Sequence, residues 1–486
     1  MTVATEDFVE QLLKFLPPPA VLYHPEDVRP YECDGLSAYR ELPWVVVLPE
    51  TEEQVVRLLR LCHEARIPVV ARGAGTGLSG GALPHKEGVL LSLAKFMKIV
   101  EVDALACTAR VQPGVRNLAI SQAVAPLGLY YAPDPSSQIA CTIGGNVAEN
   151  SGGVHCLKYG LTVHNVLKVR GVTMDGAIVE FGADALDAPG YDLLALMNGS
   201  EGMLAVITEV TVKLTPLPET AQVVMASFDN VEKAGDAVAA IIAAGIVPAG
   251  LEMMDQLTTR AVEDFVHAGY NLDAAAILLC ESDGTAEEVA DEIVRVKQVL
   301  ETHGAGDIRV SRDEAERLRF WAGRKAAFPA AGRVSPDYYC MDGTIPRKAL
   351  GRVLKGIDDL SREFGLRCMN VFHAGDGNLH PLILFDANIP GELHKAERFG
   401  ARILEMSIEA GGTITGEHGV GIEKIDQMCI QFRSAELEIF HAVKRAFDER
   451  GLLNPGKAVP TLHRCAEFGA MHVKSGQEKF PDLPRF

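Results

Sequence analysis

The stretch Arg72-Gly-Ala-Gly-Thr-Gly-Leu-Ser-Gly-Gly81 decides which kind of nucleotide-binding fold this chain can adopt. A β-branched run at residues 67–71 predicts a strand before it, and residues 89–93 predict a second strand after it. A Rossmann site needs a glycine loop that leads directly into a helix, because the helix N-terminus holds the pyrophosphate. Pro84 and Gly88 stand between this loop and the next strand, and no Gly-Lys-Ser/Thr sequence of the Walker type occurs. The pattern therefore argues against both common nucleotide-loop folds.

Two interpretations remain for this loop: a surface turn between strands, or a loop whose bare backbone N–H groups wrap a diphosphate. A second unusual region favours ligand binding. Residues 112–160 are predicted to be irregular, and Gly, Pro, Ser and Asn concentrate there in Pro133-Asp-Pro-Ser-Ser137, Thr142-Ile-Gly-Gly-Asn146, Asn150-Ser-Gly-Gly153 and Lys158-Tyr-Gly160. Because glycine costs folding entropy, a long run of it usually serves close approach of the backbone to a ligand.

The composition is that of a large acidic globular protein. The 486 residues exceed one ordinary core, so two or three domains are expected. The formal net charge of −19 argues against a nucleic-acid partner, which requires clustered Lys and Arg. A few local arginines can still bind an anionic substrate inside an acidic protein.

The ten cysteines contain no Cys-x-x-Cys pair and no ferredoxin-type spacing. No iron–sulfur cluster is expected in this chain, so electrons gathered here must leave through another molecule. The acidic start, with Glu6, Asp7 and Glu10, does not resemble a signal peptide. A cytoplasmic protein without disulfides is therefore expected, and no apolar run is long enough to span a bilayer.

Leu214-Thr-Pro-Leu-Pro218 predicts a domain boundary, because two prolines in three residues interrupt any regular element. Before it, a capping box at Thr51-Glu-Glu-Gln54 opens a helix, and residues 166–172 and 177–181 form a hairpin. Beyond it, strands alternate with longer helices, which predicts an α+β domain with an antiparallel sheet. Its strands are predicted at residues 222–228, 275–281, 338–344, 369–373 and 379–385, and its helices at 231–244, 286–302, 347–364, 392–410 and 435–450.

The most specific chemical signal is Val371-Phe-His-Ala-Gly-Asp-Gly-Asn-Leu-His-Pro381. Its histidines, His373 and His380, are seven residues apart, which would place them about 10 Å apart along a helix or on opposite faces of a strand. The central Gly-Asp-Gly-Asn breaks either element. A strand–turn–strand path can then bring both imidazoles to one point.

A second glycine-rich motif, Gly411-Gly-Thr-Ile-Thr-Gly-Glu-His-Gly-Val-Gly421, contains Glu417 next to His418. Two histidines and one carboxylate with an open position form a common zinc, manganese or iron(II) site. The alternative is that each histidine is a satisfied structural residue. The presence of both motifs, each within glycine turns, favours the metal site.

The glycine-rich segments resemble the FAD-binding domain of the vanillyl-alcohol oxidase and para-cresol methylhydroxylase superfamily, whose FAD domain has two subdomains. The resemblance implies an α+β chain with an N-terminal helical segment (1–40), an FAD-binding domain (41–218), a helix-covered antiparallel-sheet cap domain carrying the metal site (219–431) and a C-terminal segment that returns to the FAD domain (432–486). The pattern that attaches FAD covalently through histidine is missing around His85, so non-covalent FAD is implied. The residues implied around FAD are Arg72, Gly73, Ala74, Gly75, Thr76, Gly77, Leu78, Ser79, Gly80, Pro133, Asp134, Ser137, Thr142, Gly144, Gly145, Asn146, Asn150, Gly152, Gly153, Tyr159, Glu201, Gly202, Ile207 and Asn454.

The histidine motifs resemble those of the metal-dependent FAD-linked 2-hydroxy-acid dehydrogenases. That resemblance implies that His373, His380 and Glu417 bind the metal, with zinc in first place and manganese or iron as alternatives. It makes His418 the catalytic base, which takes the hydroxyl proton while hydride passes from the α-carbon to flavin N5. Asn378 is implied as a further contact to substrate or metal.

Arg324, in Arg319-Phe-Trp-Ala-Gly-Arg324-Lys325, matches the substrate arginine of that family, and its planar fork suits a carboxylate. The alternative is a solvated helix face formed by Arg319, Arg324 and Lys325. The branch that oxidises D-2-hydroxyglutarate carries Lys-Tyr-Asp where this chain has Cys340-Met-Asp342. That lysine, a second anchor for a long dicarboxylate, is missing here, which favours a short substrate.

The resemblance extends from about Tyr31 to the C-terminus and points to the glycolate-oxidising branch of the family. The stretches that carry it are Tyr31-Glu-Cys-Asp-Gly-Leu-Ser-Ala-Tyr39, residues 321–329 and 337–347, and Leu462-His-Arg-Cys-Ala-Glu-Phe468. It implies oxidation of glycolate, or next of D-lactate, to the 2-oxo acid.

The same branch implies two partner subunits: a second flavoprotein-like chain, and an iron–sulfur chain that passes electrons to quinone. It also implies a place at the inner face of the cytoplasmic membrane that is reached only through those partners. Two other functions stay open, namely a non-catalytic flavin-carrying or assembly subunit and an ether-lipid synthase-like reaction on the same fold.

Overall fold

The computed structural model describes residues 3–185, 189–461 and 464–465. Eighteen strands lie in these ranges: β1 Val21–Leu22, β2 Val45–Val47, β3 Val69–Arg72, β4 Val89–Ser92, β5 Ile99–Asp103, β6 Thr108–Val111, β7 Leu129–Tyr130, β8 Val166–Val172, β9 Ile178–Gly182, β10 Val206–Lys213, β11 Thr215–Pro216, β12 Thr220–Phe228, β13 Gly250–Asp255, β14 Ala276–Gly284, β15 Ile308–Val310, β16 Asp337–Cys340, β17 Cys368–Phe372 and β18 Pro381–Phe385.

The same ranges contain seventeen α-helices and four short 3₁₀ turns. The helices are α1 Val3–Leu13, α2 Pro25–Val28, α3 Glu52–Ala65, α4 Asn117–Val124, α5 Ile143–Glu149, α6 Cys156–Tyr159, α7 Thr162–Asn165, α8 Leu193–Met197, α9 Val231–Ala243, α10 Gln256–Val266, α11 Ala286–Thr302, α12 Glu314–Lys325, α13 Ala327–Val334, α14 Leu350–Phe364, α15 Glu392–Glu409, α16 Ile425–Gln431 and α17 Ser434–Phe447. The 3₁₀ turns are Pro18–Ala20, Arg29–Tyr31, Ala125–Leu127 and Arg347–Ala349.

The N-terminal half contains two larger sheets. The first has the order β1-β2-β4-β3, in which β2 and β3 run parallel to β4 and β1 runs antiparallel to β2. The second is antiparallel throughout, with the order β5-β6-β10-β8-β9, and it contains the predicted hairpin β8–β9. The predicted capping box opens α3, where the Thr51 hydroxyl accepts a hydrogen bond from the Gln54 N–H at 3.3 Å.

The loop after β3 contains no helix between residues 73 and 88, as the sequence predicts. It runs through turns and bends into β4, which lies parallel to β3. The C-terminal chain returns to this sheet, because the Asn454 N–H donates to the Val69 carbonyl at 2.7 Å. Glycine loop, first sheet and C-terminal segment are thereby brought together.

The second half forms one seven-stranded sheet with the order β15-β12-β14-β13-β17-β18-β16. All of its strand pairs are antiparallel, which confirms the predicted fold class. Helices α9, α11, α14 and α15 pack on one face, around Leu278 and Phe372. Helices α10, α12 and α13 pack on the other face, around Leu279 and Trp321. Apolar side chains therefore cover both faces, as a buried sheet requires.

The prediction of an irregular chain at residues 112–160 was wrong, because α4, α5 and α6 lie there. Helix α5 contains Gly144 and Gly145, which lower its intrinsic helix propensity. Ile143 and Val147, four residues apart, are nevertheless both buried on one side of it. Burial of that face compensates for the glycines, since tertiary packing supplies most of the stability of a short helix.

A disulfide joins Cys429 of α16 to Cys465, so the expectation of a chain without disulfides was wrong. That expectation rested on local cysteine spacing and on the acidic start of the chain, whereas this pair is 36 residues apart in sequence and the fold brings its Cα atoms within 5.2 Å. Of the stretch at residues 462–468, only Arg464 and Cys465 belong to the described residues.

Within residues 3–185, 189–461 and 464–465, none of the helices combines the length and the hydropathy needed to cross a bilayer. The division of the chain at residues 40, 218 and 431 stays a prediction.

Candidate active site

The two motif histidines meet at a turn between neighbouring strands. β17 ends one residue before His373, β18 begins one residue after His380, and the His373 N–H donates to the Asn378 carbonyl at 3.1 Å. The imidazole centroids are 5.0 Å apart. The predicted strand–turn–strand path is confirmed. Asn378 Oδ1 faces the second motif at Gly416, where an added Cβ would lie 2.6 Å from it.

The loop that carries Glu417 and His418 is held by the buried carboxylate of Asp342. Asp342 Oδ2 accepts from the N–H groups of Gly416 at 3.1 Å and His418 at 2.9 Å, and Oδ1 accepts from the Glu417 N–H at 3.1 Å. Lys424 Nζ lies 3.2 Å from Oδ2. Burial raises the pKa of Asp342, but the neighbouring histidines and Lys424 outweigh that effect and hold it well below its usual range.

His373, His380 and Glu417 form a group that fits a metal ion. Glu417 Oε1 lies 3.1 Å from His380 Nε2 and 3.4 Å from His373 Nε2, and all three ligand atoms lie within 4.8 Å of one another. In the described part of the chain, neither Nε2 has a hydrogen-bond partner. Buried imidazole nitrogens left unpaired are unfavourable, so this donor set fits a bound cation. Asp342, His380 and His418 form a second such group, but hydrogen bonds from the loop and Lys424 already occupy the Asp342 carboxylate.

His418 lies beside His380 and Glu417 in the same group of side chains. Its ring stacks on His380 with centroids 4.9 Å apart, and its Nε2 lies 3.8 Å from Glu417 Oε1. Its Nδ1 is buried and, among the residues that the structure describes, unpartnered. Burial lowers the pKa of His418 to about 4, so the imidazole is neutral at neutral pH and can accept a proton.

Arg324 lies behind the histidines rather than in the wall of the cavity beside them. It is 2% exposed, and its Nε donates to Glu252 Oε2 at 2.6 Å. Its Nη2 is buried and finds no hydrogen-bond partner in the described ranges. The next residue, Lys325, is exposed and lines the cavity. The alternative of one solvated helix face therefore fits Arg319 and Lys325, which are exposed, and not Arg324.

A cavity of about 430 Å³ joins the glycine-rich loop to the histidine cluster, by which we mean His373, His380, Glu417 and His418. A Cβ atom added at Gly77 would point into free space, and one added at Gly145 would contact only Thr142 Oγ1, at 3.7 Å, so the bare backbone at both positions leaves room for a ligand. This cradle fits the diphosphate and ring system of FAD. The predicted FAD residues that line it are Arg72, Gly73, Ala74, Gly75, Thr76, Gly77, Leu78, Ser137, Thr142, Gly144, Gly145, Asn146, Glu201, Gly202 and Ile207.

The remaining predicted FAD residues lie outside that lining, and several brace it. A Cβ at Gly152 would lie 2.4 Å from Glu417 Oε2, so this glycine makes room for the loop that carries Glu417. Asn454 Nδ2 donates to the carbonyls of Gly81 and Glu201. The residues outside the lining are Ser79, Gly80, Pro133, Asp134, Asn150, Gly152, Gly153, Tyr159 and Asn454.

Tyr159 contacts the second half of the chain instead of the cavity, and Asp134 is linked to it only through His155, whose Nε2 lies 3.1 Å from Glu281 Oε1. Asp134 Oδ2 lies 2.7 Å from His155 Nδ1, and the Tyr159 hydroxyl donates to Asp283 at 2.7 Å. Lys158 Nζ donates to the same Asp283 carboxylate at 2.5 Å. These contacts join the stretch before and within α6 to strand β14.

Three residues near the site were missed by sequence reasoning. Glu252, on β13, contacts His373 and Arg324, and no motif surrounds it. Glu149 lines the cavity, where burial raises its pKa well above the usual value. Asp342 was noticed only as part of Cys340-Met-Asp342. Glu149 could have been found in the sequence, because it is a carboxylate beside two glycine-rich motifs. No comparable sequence signal pointed to Glu252.

The glycine-rich cradle that opens onto the histidine cluster is typical of one class of protein, the FAD-linked oxidoreductases. Residues 43–182 match the family model described as an FAD binding domain, and residues 217–458 match the C-terminal domain of FAD linked oxidases. The fold agrees with the crystal structure of p-cresol methylhydroxylase with substrate bound, at a TM-score of 0.78 and 17% identity over 95% of this chain and 98% of that one.

Sequence relatives narrow the class. The chain is 66% identical to the glycolate oxidase subunit GlcD of Escherichia coli K12 over 98% of this chain and 95% of the relative. It is 33% identical to a D-lactate dehydrogenase of Anaerostipes hadrus over 93% of this chain and 97% of the relative. The chain belongs to the family of FAD-linked 2-hydroxy-acid dehydrogenases.

Proposed function

We propose that the chain oxidises a short 2-hydroxy acid, glycolate in first place and D-lactate next, to the 2-oxo acid. The observation that carries the proposal is the position of His418, a neutral imidazole that lines the cavity beside Glu417 and His380. The names of the relatives support the substrate class, since one is a glycolate oxidase subunit and another a D-lactate dehydrogenase.

His373, His380 and Glu417 would hold a divalent metal, and zinc suits two imidazoles with one carboxylate, while manganese and iron(II) accept the same donors. When bound, such an ion lowers the pKa of a hydroxyl group. His418 accepts the proton that the substrate hydroxyl loses. Asn378, whose Oδ1 is buried and unpartnered within the described residues, supplies a further polar contact at the same place.

The glycine-rich loop and the cavity that it borders would hold FAD without a covalent link, and N5 of the bound flavin would supply the hydride acceptor for the α-carbon. Two observations support non-covalent binding. The histidines of the described residues that line the cavity, His380 and His418, belong to the histidine cluster. His85 lies outside the lining, and its Nδ1 accepts from the Glu87 N–H at 3.2 Å.

The carboxylate clamp in this proposal is Arg324: it lies outside the cavity lining, but its buried Nη2 has no partner among the described residues, and a substrate carboxylate that reaches it would satisfy it. Lys325 adds positive charge at the cavity wall. A short substrate is supported by the stretch that replaces the second anchor of long dicarboxylates. Cys340 is buried there, and the Asp342 carboxylate is engaged by the loop that carries Glu417 and His418.

Electrons leave through partner subunits, a second flavoprotein-like chain and an iron–sulfur chain that delivers them to quinone. The support is that the E. coli relative is named as a subunit. A place at the inner face of the cytoplasmic membrane, reached through those partners, is part of the same proposal.

The test is anaerobic bleaching of the flavin absorption band of the purified chain by glycolate and by D-lactate, each with and without a chelator. Rapid bleaching that the chelator abolishes, while the flavin stays bound, would support both substrate class and metal. A yellow protein that neither acid bleaches would overturn the proposal in favour of a flavin-carrying assembly subunit. Bleaching by D-lactate alone would reverse the order of the two substrates.

A further inference from the structure

Glu252 occupies a buried position between two residues of the proposed site. It lies on β13 and is 1% exposed. Its Oε2 accepts from Arg324 Nε at 2.6 Å, and its Oε1 lies 2.7 Å from His373 Nδ1. One carboxylate thus engages both the proposed carboxylate clamp and a proposed metal ligand.

The contact with Glu252 determines which nitrogen of His373 carries a proton. An ionised carboxylate only accepts hydrogen bonds, so His373 Nδ1 must be the donor. The lone pair of a neutral His373 is then on Nε2, which lies 3.4 Å from Glu417 Oε1 in the middle of the histidine cluster. Without an acceptor at Nδ1, neither the tautomer nor the ring orientation is determined.

Arg324 makes the buried carboxylate tolerable. An isolated charge at this depth is strongly unfavourable, and a buried pair needs good geometry with further hydrogen bonds. Arg324 and His373 supply such bonds to the two different oxygens of the Glu252 carboxylate. The guanidinium on α12 and the imidazole after β17 are therefore held at a defined separation through one side chain.

We propose that Glu252 is a positioning residue, which orients His373 for metal binding and holds Arg324 for the substrate carboxylate. The inference rests on the proposed function. Residues that orient a metal-binding histidine through its other nitrogen commonly change metal affinity about 10- to 100-fold when they are replaced.

The experiment measures Zn²⁺ affinity of the metal-free, FAD-loaded full chain by equilibrium dialysis, in the wild type and in Glu252→Gln. The matched control is Glu281→Gln on neighbouring β14, because Glu281 is also buried and also bonded to an arginine and a histidine. We expect Zn²⁺ binding about 10- to 100-fold weaker in Glu252→Gln and unchanged in Glu281→Gln. Flavin absorbance and thermal unfolding verify that each variant is folded and loaded.

Glu252→Asp is the second variant, since it keeps a carboxylate one methylene shorter, and we expect its Zn²⁺ affinity to lie between those of wild type and Glu252→Gln. If Glu252→Gln does not fold, the Zn²⁺ affinity of Glu252→Asp is compared with those of the wild type and Glu281→Gln instead. Wild-type affinity in Glu252→Gln, or equal losses in Glu252→Gln and Glu281→Gln, would overturn the inference alone. A wild-type chain that binds no Zn²⁺ would overturn the proposed metal site and the inference with it.

Discussion

Two buried glutamates on neighbouring strands have nearly the same surroundings and different consequences. The Glu252 cluster consists of Glu252, Arg324 and His373, and the Glu281 cluster consists of Glu281, Arg317, Trp321 and His155. β13 and β14 pair so that Gly250 lies opposite Glu281, and both glutamates therefore stand on the same face of the sheet. Arg317 and Arg324 are seven residues apart on α12, two turns along one side of the helix.

The difference lies in the second nitrogen of each histidine. Both ring nitrogens of His155 are engaged, Nδ1 with Asp134 at 2.7 Å and Nε2 with Glu281 at 3.1 Å. His373 gives Nδ1 to Glu252, while Nε2 faces the histidine cluster without a hydrogen-bond partner in the described part of the chain. The Glu281 cluster therefore joins two halves of the protein, whereas the Glu252 cluster leaves one imidazole nitrogen available for the proposed metal ion.

Replacement of the proposed base is expected to have the largest effect. In His418→Ala we expect the rate of flavin bleaching by glycolate to fall by about 10²- to 10⁴-fold, because no group is left to accept the hydroxyl proton. Stopped-flow absorbance measures the rate. His155→Ala is the contrasting variant, since both of its nitrogens are used structurally. A comparable loss of rate in His155→Ala would break the distinction between the two clusters.

Removal of the arginines is expected to have the next largest effect, on stability. Arg324→Met leaves the buried Glu252 charge with His373 alone, and loss of one partner of a buried pair costs about 3–5 kcal/mol. Arg317→Met is expected to cost only about 1–2 kcal/mol, because Trp321 still donates to Glu281 and the Arg317 side chain is 19% exposed. Urea unfolding compares the two variants. Equal midpoints would show that the Glu252 cluster is no more dependent on its arginine than the other.

The smallest expected effect is on the pH dependence of stability, through the protonation of His155. Burial lowers the pKa of His155, but the carboxylates of Asp134 and Glu281 outweigh burial and raise it well above its ordinary value. The ring faces those two carboxylates, and Arg317 Nη1 lies 2.7 Å from Glu281 Oε2. A raised pKa contributes stability that is complete below about pH 6.5, the value in the unfolded chain, and is lost as pH rises through the folded-state pKa.

We therefore expect His155→Gln to flatten the decline of stability above pH 6.5, by at most about 1.4 kcal/mol per pH unit. Unfolding midpoints measured from pH 6 to pH 9 for variant and wild type test this. A variant with the wild-type slope would mean that His155 is uncharged in the folded protein.

Local sequence was sufficient for features that depend on neighbours in the chain. The capping box at Thr51, the hairpin β8–β9 and the turn between His373 and His380 form as predicted, because each depends on a few consecutive residues. The irregular chain predicted at residues 112–160 failed for the opposite reason. Burial of Ile143 and Val147 stabilises a helix that its glycines disfavour, and that burial comes from distant parts of the fold.

In the candidate site, too, some residues could be predicted from local sequence and others could not. Composition and spacing were sufficient to predict the glycine loops, the paired histidines and the Glu417–His418 pair, since their chemistry needs these residue types close together in the chain. Arg324 was expected at the cavity, yet its Nε is bonded to Glu252, and Lys325 lines the wall instead. Whether a helix residue faces the cavity or the core is decided by how α12 packs on the sheet.

The sequence by itself determined that this chain is a flavin-linked oxidoreductase with a histidine–carboxylate cluster, because the glycines, histidines and glutamate concerned lie in short contiguous motifs. Only the tertiary structure decided that Glu252 stands behind His373 and that Cys429 pairs with Cys465. It also decided that both ring nitrogens of His155 are engaged, whereas Nε2 of His373 has no hydrogen-bond partner among the described residues. The physical reason is that hydrogen bonds and disulfides act over a few ångströms in space, and residues far apart in the chain reach that distance only when the sheets and helices have packed.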